Sequence, residues 1–165
     1  MNFSEYPKAI NHIAISVPDL DKALNWYQEV LGFIVVRGPT ELNADDPKIG
    51  NMVKDIFGAD FKRLKLVWMS SSNNIGFEIF QFIDPKSVKD NKQIQYMKKG
   101  VIHISITEPN LEDLARKISE TGGRQLSKIW ELNQEKHHNV VFCEDPFGTI
   151  IEIYSHSFEQ FHANM

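Results

Sequence analysis

The sequence has little cysteine, no long apolar run and no excess of basic charge, and each absence excludes a class of protein. Cys143 is the only cysteine, so one chain cannot form a disulfide bond or a thiolate metal cluster. No uncharged apolar stretch approaches roughly 18 residues, so no membrane-spanning helix is expected. The formal net charge is -4, with acidic and basic residues mixed along the chain, which disfavours nucleic acid as a partner.

The composition that remains is that of a folded protein. Hydrophobic residues make up 42% of the sequence and charged residues 24%, which supplies enough apolar surface for a core. We expect a single domain over residues 1–165, and the lone cysteine favours a reducing, cytoplasmic location. The N-terminal residues lack a basic segment followed by an apolar run, so we expect no export signal.

Two segments of the chain resemble each other, HIAISVPDLDKAL at 12–24 and HISITEPNLEDLA at 103–115. They share five identities in thirteen positions, and several of the remaining pairs are chemically similar. In both segments apolar residues first alternate with polar ones, a Pro-Asp or Pro-Asn pair follows, and leucines then recur at helical spacing. Each segment therefore predicts a strand, a tight turn and a helix, and the chain contains an internal repeat.

Each half also ends in a β-rich run that a glutamate interrupts. These runs are GFEIFQF, which contains Glu78, and GTIIEIYSH, which contains Glu152. Further strands are predicted within the halves at FIVVRG, RLKLVWMS, GRQLSKIW and NVVFCED. The charged segment at 83–100 is the predicted connector between the halves.

The first half is longer than the second, and its extra residues at 38–61 predict a short helix. Pro47 lies near the predicted start and Gly58 follows the end. One face of this helix carries the apolar residues Ile49, Met52, Val53 and Ile56. We expect the helix to lie over the open face of the first sheet.

Four ionisable residues interrupt otherwise apolar strands, namely His12, Glu78, His103 and Glu152. If their apolar neighbours, which include Ile102 and Ile104, face the helices, then all four side chains lie on the opposite face. A carboxylate among Phe and Ile residues is costly unless a cation pairs with it. Two half-sheets that curve toward each other would bring two imidazoles and two carboxylates around one divalent ion. This donor set suits Zn, Ni, Co, Mn or Fe(II) equally.

Structural roles are the alternative for each of the four residues taken singly. An isolated histidine at a strand start is more often part of the core or the sheet edge, and an isolated glutamate usually faces solvent. The matched pattern, histidine at the head and glutamate at the tail of both halves, favours a metal site.

Strand alternation also predicts the residues that face a substrate. Ser16, Phe80, Ser105 and Tyr154 share the face of the four ionisable residues and are the predicted pocket. Trp68 on a neighbouring strand is either pocket wall or core. Each of three arginines could bind an anionic substrate or simply be solvated, namely Arg37, Arg63 and Arg124. Of the remaining candidates, His137 and His138 are expected in a polar loop, His156 and His162 on the surface, and Cys143 in the core.

The chain resembles the vicinal oxygen chelate superfamily, which includes glyoxalase I, bleomycin-resistance proteins and extradiol dioxygenases. The resemblance covers most of the chain, through INHIAISVPDLDKALNWYQEVLGF, GFEIFQF, GVIHISITEPNLEDLARKISETGGR and EDPFGTIIEIYSH. It implies an α+β fold of two tandem βαβββ modules that form a curved mixed sheet around a metal cleft. The modules correspond to residues about 8–84 and about 100–157, with the connector at about 84–100.

The same resemblance implies roles for individual residues. The ligands of one divalent metal would be His12, Glu78, His103 and Glu152, and both glutamates become candidates for acid–base catalysis. Glu152 is preferred because its motif is the more specific. The implied reaction is that of a glyoxalase-like lyase or isomerase, similar to lactoylglutathione lyase, in which a proton moves next to a metal-chelated oxygen.

The sequence departs from each branch of the superfamily. Ser16 stands where glyoxalase I carries an arginine for the glutathione carboxylate, four positions after the first ligand. HIAISVPDL is similar to the opening of methylmalonyl-CoA epimerases, yet these typically have Gln where this chain has Glu78. Extradiol dioxygenases use two histidines and one glutamate, and bleomycin-type binders lack the ligands. We therefore expect an enzyme with a small-molecule substrate, working as a homodimer, and keep an acyl-CoA epimerase or a small-molecule binding protein as alternatives.

Overall fold

The internal repeat of the sequence corresponds to two structural units, Met1–Val88 and Lys89–Met165. They were characterised in a computed structural model that describes residues 7–88 and 100–163. The predictions for the first six residues and for most of the connector lie outside the described residues. None of the helices in the described ranges has the length and hydropathy that crossing a membrane requires.

Over residues 7–88 the first unit contains four strands and two helices. In chain order they are β1 (His12–Ser16), α1 (Leu20–Leu31), β2 (Ile34–Asn43), α2 (Gly50–Phe57), β3 (Arg63–Ser70) and β4 (Gly76–Asp84). The strands form one sheet in the order β1-β4-β3-β2. β1 runs parallel to β4, and the other neighbours are antiparallel, so the sheet is mixed.

The second unit repeats this arrangement with shorter strands. Its elements are β5 (Ile104–Thr107), α3 (Leu111–Glu120), β6 (Arg124–Gln125), β7 (Trp130–Asn133), β8 (His138–Glu144), β9 (Ile150–Tyr154) and α4 (Phe158–His162). β5 is parallel to β9, β8 follows β9, and both β6 and β7 pair with β8. The predicted α+β fold of two βαβββ modules with mixed sheets is confirmed.

Local signals at both ends of α1 define the first helix. The Asp19 carboxylate accepts a hydrogen bond from the Lys22 N–H at 3.1 Å, and Gly32 adopts a left-handed φ of 69° at the other end. Leu20 and Tyr27 are fully buried, and the Tyr27 ring packs on Phe77 of β4 at 4.9 Å. Full burial of one such aliphatic side chain is worth about 1.5–3 kcal/mol, so α1 is anchored to one face of the sheet.

The second helix, α2, covers part of the opposite face, as predicted. Val53 packs in a cluster with Phe61, Leu64 and Leu66, against which Phe80 and Phe82 of β4 lie. The helix starts at Gly50, and in the turn before it the Asp46 carboxylate accepts hydrogen bonds from the N–H groups of Lys48 and Ile49. The predicted apolar face is wrong in part, since Met52 and Ile56 are more than half exposed.

The predicted strand GRQLSKIW contains only the short strand β6 and ends at Trp130, where β7 begins. The backbone breaks between them at Ser127, whose hydroxyl accepts the Phe142 N–H at 3.0 Å. Gly123 explains the tight turn into β6, because a Cβ there would come within 2.7 Å of the Ile118 side chain. Gly123 therefore permits the close approach of α3 to β8.

The prediction that His138 lies in a polar loop is wrong, although His137 does lie in the preceding turn. His138 is the first residue of β8 and is buried against α4, where its ring stacks on Phe161 at 4.7 Å. Among the described residues its Nδ1 atom has no hydrogen-bond partner. α4 was not predicted from the sequence, although Ser157 and Gln160 form a capping box at its start.

Stability should depend on pH through His138. Burial lowers the pKa of this imidazole, and the neighbouring His156 ring and Lys136 ammonium lower the pKa further. The unfolded chain therefore binds more protons than the folded chain below about pH 6.5, and the free energy of unfolding falls as the pH falls. Thermal unfolding at pH 7.5 and pH 5 should show a smaller loss of Tm in His138→Phe than in the wild type.

The exposed His162 supplies the matched control. His162→Gln should lose as much Tm on acidification as the wild type, because this side chain is exposed. An unchanged acid sensitivity in His138→Phe would show that other groups destabilise the protein at low pH.

Candidate metal-binding and catalytic site

The parallel pairing of β1 with β4 places a histidine beside a glutamate in the first unit. Ala14 lies directly opposite Glu78, and His12 precedes Ala14 by two positions, so His12 and Glu78 share a face of the sheet. The Nε2 atom of His12 lies 3.5 Å from Oε2 of Glu78. The carboxylate is mostly buried and the imidazole is about half exposed.

Asn11 determines which nitrogen of His12 can accept a cation. The Asn11 side-chain oxygen lies 2.9 Å from His12 Nδ1 and can only accept a hydrogen bond. In the neutral imidazole Nδ1 therefore carries the proton, and Nε2 presents its lone pair to the Glu78 carboxylate. Two lone pairs at this distance repel each other unless they share a proton or a metal ion.

Gly76 permits the close approach of β1 and β4 at this point. It is the strand partner of His12, and its N–H donates to the Asn11 carbonyl at 2.9 Å. A Cβ at position 76 would lie 2.9 Å from the His12 Cβ. Any larger residue would push His12 away from its position beside Glu78.

The second unit repeats the pair with the same atoms. Ser105 lies opposite Glu152 in the parallel pairing of β5 with β9, and His103 precedes Ser105 by two positions. His103 Nε2 lies 3.1 Å from Glu152 Oε2, and the ring meets Phe142 edge to face at 5.6 Å. His103 itself lies just before β5, and the prediction that Ile102 packs inward is wrong, since that side chain is half exposed.

Tyr154 distinguishes the second pair from the first. Its phenol hydrogen-bonds to the Glu152 carboxylate, and its ring packs on Phe161 at 4.3 Å. Burial raises the pKa of Tyr154, and the nearby Glu152 charge and this hydrogen bond raise the pKa further. The phenol thus stays protonated and donates to Glu152, which is buried.

The four predicted pocket residues lie on the faces that carry the two pairs. Ser16 is exposed and stands opposite Phe80 in the first unit, while Ser105 and Tyr154 flank Glu152 in the second. Phe80 is partly covered, because it stacks on Phe82 and meets Phe57 of α2.

A shallow depression of about 270 Å³ adjoins the pair of the first unit. Its lining includes His12, Glu78, Trp68, Val36 and Asn11. Sequence reasoning missed Asn11, for which the only signal was a side-chain amide directly before the first histidine. Trp68, whose role the sequence left open, lies opposite Glu78 and lines this depression.

The remaining candidates have structural partners. Arg63 pairs with Glu41 at 3.5 Å, and the Arg124 Nε donates to Glu144 at 2.6 Å. Burial raises the pKa of the Cys143 thiol to about 11, so this cysteine is a core residue, as predicted.

The donors occur in pairs rather than in larger clusters within each unit. Over residues 7–88 and 100–163 no group of three or more His, Cys, Asp and Glu side chains is arranged to hold a metal ion. Each unit thus supplies one imidazole and one carboxylate. Both pairs fit a divalent cation chemically, because a lone pair and an anion face the same point and no thiolate is present.

Comparisons with known proteins agree with this architecture. A sequence model described as the Glyoxalase/Bleomycin resistance protein/Dioxygenase superfamily matches residues 9–153. A relative from Arabidopsis thaliana, Glyoxylase I 4, is 27% identical over 154 residues, which cover 88% of this chain and 69% of the relative.

Solved structures show the same fold. A glyoxalase family protein from Bacillus cereus gives a TM-score of 0.74 at 14% identity, covering 93% of this chain and 97% of that chain. Glyoxalase I from Zea mays gives a TM-score of 0.59 at 17% identity, and the match covers 90% of this chain but 44% of that chain. At these identities the likeness concerns the fold alone.

Replacing Gly76 by alanine should separate the first pair. The added methyl group meets the His12 Cβ, so β1 must shift, at a cost of about 1–3 kcal/mol in the free energy of unfolding. A crystal structure of Gly76→Ala should show the distance from His12 Nε2 to Glu78 Oε2 beyond about 4 Å, the limit of an ion pair. The pair of His103 and Glu152 is the internal control, and equal displacement of both pairs would contradict this role of Gly76.

Proposed function

This chain belongs to the Glyoxalase/Bleomycin resistance protein/Dioxygenase superfamily, and we propose that it is a metal-dependent lyase or isomerase of the glyoxalase type. The proposed reaction moves a proton between carbon atoms next to a substrate oxygen. The observation that carries the proposal is the repeated pair, in which His Nε2 faces Glu Oε2 at equivalent positions of both units. A purely structural histidine has no reason to recur in this relation to a glutamate.

The proposed ligands of one divalent ion are His12, Glu78, His103 and Glu152. Two neutral imidazoles and two carboxylates balance the charge of Zn, Ni, Co, Mn or Fe(II). When bound, such an ion supplies a positive charge that offsets negative charge on the substrate oxygen. Asn11 is not a proposed ligand, but its side-chain oxygen holds His12 in the tautomer whose Nε2 lone pair is free to bind the ion.

Glu152 is the proposed base. Its carboxylate is buried, and the Tyr154 phenol donates a hydrogen bond that orients it. The carboxylate removes a proton from a hydroxyl-bearing carbon beside the substrate carbonyl, and the C–H electron pair shifts toward that carbonyl. Glu152 then returns the proton to the former carbonyl carbon while the hydroxyl proton passes to the former carbonyl oxygen, so the net reaction is an isomerisation without loss of atoms.

Glu78 is the alternative base, and its surroundings differ. It has the His12 imidazole at 3.5 Å and the Trp68 side chain on the neighbouring strand. Among the described residues no tyrosine orients Glu78 as Tyr154 orients Glu152. Glu78 is therefore better suited to balancing the charge of the metal ion than to a directed proton transfer.

The relative Glyoxylase I 4 supports a glyoxalase-type reaction, while Ser16 argues for a substrate other than a glutathione adduct. We further propose that residues 1–165 act as one domain and that the enzyme is a cytoplasmic homodimer. The glyoxalase I chain of Zea mays is long enough for two copies of this chain, which supports the dimer.

Metal content tests the ligand set. Elemental analysis of the purified protein should find about one transition metal per chain, and His12→Ala and Glu152→Gln should each reduce it strongly. His137→Ala and His162→Ala are the controls, because both side chains are exposed, and they should keep the metal. A metal-free protein whose small-molecule binding survives all four changes would instead indicate a binding protein.

Proton exchange tests the base. The methylglyoxal–glutathione hemithioacetal, an acyl-CoA and a catechol, assayed in deuterated water, separate isomerase, epimerase and dioxygenase activity. For the accepted substrate, Glu152→Gln should lower kcat per bound metal by about 10²- to 10⁴-fold, as expected for a general base. Tyr154→Phe should lower kcat less, because it removes only the orienting hydrogen bond. Deuterium exchange retained in Glu152→Gln and lost in Glu78→Gln would transfer the role to Glu78.

A further inference from the structure

One arginine of the chain differs from the other three in its surroundings. Arg63 pairs with Glu41, Arg124 with Glu144, and Arg116 with two carboxylates of its own helix. Within residues 7–88 and 100–163, Arg37 has no carboxylate at ion-pair distance. Its guanidinium lies instead over the Trp68 ring, 5.2 Å from the centroid.

Arg37 lies in line with the proposed site. In the sheet of the first unit it pairs with Trp68, Trp68 pairs with Glu78, and Glu78 pairs with Ala14 beside His12. Cross-strand partners share a face, so the cation, the indole and the carboxylate follow one another on the same surface. Trp68 and Glu78 line the depression, and Arg37 adjoins it through its contact with the Trp68 ring.

In the part of the chain that the structure describes, the guanidinium N–H groups of the stacked Arg37 have no acceptor. A guanidinium that lies over an aromatic ring interacts through its face, while its N–H groups point outward in the plane. Those N–H groups match the two oxygens of a carboxylate. The ring also restricts the side chain, so an anion meets a cation that is already in place.

We infer that Arg37 binds a carboxylate of the substrate while Trp68 contacts the apolar carbon atoms next to it. This inference rests on the proposed function, in which Glu78 is a ligand of the metal that would bind a substrate oxygen. Neighbouring strands are about 4.8 Å apart, so the substrate carboxylate and the oxygen that such a metal would bind are roughly 5–10 Å apart. The substrate class is thus a small acid whose carboxylate is several bonds from that oxygen, which excludes α-keto acids. A single guanidinium balances one negative charge, which favours a carboxylate over a phosphate dianion.

Binding of simple probes tests this inference without any turnover. Phenylacetate carries a carboxylate and an aromatic ring, and phenylacetamide is its neutral analogue of equal shape. Both are titrated into metal-stripped protein, and the indole N–H resonance of Trp68 is followed by NMR. Phenylacetate should bind at least tenfold more tightly than phenylacetamide, since a charge-assisted bidentate contact is worth about 10- to 100-fold in affinity.

Matched arginine variants assign the effect. Arg37→Met should remove the preference for phenylacetate, Arg37→Lys should restore part of it, and Arg63→Met on the same pair of strands should change nothing. Trp68→Leu should weaken both probes, as followed by calorimetry. Thermal unfolding of each variant checks that the fold is retained. Equal phenylacetate affinity in Arg37→Met and the wild type, or equal losses in Arg37→Met and Arg63→Met, would overturn the inference.

The same titration separates this inference from the proposed function. In metal-stripped protein Glu78→Gln should bind phenylacetate at least as tightly as the wild type, because it removes a negative charge near the proposed carboxylate position, even though Glu78 is a proposed metal ligand. A protein that binds no metal yet prefers phenylacetate through Arg37 would refute the proposed function and support the carboxylate site. A protein that binds metal but shows no preference would do the reverse.

Discussion

In each unit the first and last strands lie side by side and parallel, and this pairing determines which ionisable side chains of the sheet lie close together. It brings a histidine Nε2 atom within 3.1–3.5 Å of a glutamate Oε2 atom, on the face that the first helix leaves open. Neither carboxylate has a lysine or arginine partner among the described residues. The sheet therefore carries a negative charge that a proton or a metal ion must offset, and the glycine at position 76 keeps the strands close enough for this to hold.

One face of the first sheet belongs to the hydrophobic core, and the other face carries the residues proposed for binding. α1 covers one face through Leu20 and Tyr27, and the buried β4 residues belong to that core. On the other face α2 covers Phe80 and its neighbours but leaves Trp68 and Glu78 accessible. The longer first half of the repeat thus shields the aromatic end of the face without covering the histidine–glutamate pair.

Much of this architecture could be predicted from the sequence because its signals are local. Asp19 and Gly32 bound the first helix, and strand alternation put His12 and Glu78 on one face. The register of β1 against β4 could not be predicted from the sequence, because the pairing of Ala14 with Glu78 joins strands that are far apart in the chain. His138 was misassigned for a related reason, since only a distant helix turns that polar segment into buried structure.

The repeat makes the two glutamates equivalent in sequence, but the environment makes them different in chemistry. Glu152 is more deeply buried and accepts a hydrogen bond from a phenol whose raised pKa keeps it a donor. Glu78 lies opposite Trp68, and the Arg37 guanidinium lies over the Trp68 ring. The two halves of the repeat would thus contribute differently to the proposed reaction, because Glu152 has the orienting phenol and Glu78 has the indole and the arginine. A proton is removed by a negatively charged carboxylate, whereas a substrate carboxylate is bound by a positively charged group. The proposed chemistry therefore requires the two halves of the repeat to differ in their charged residues.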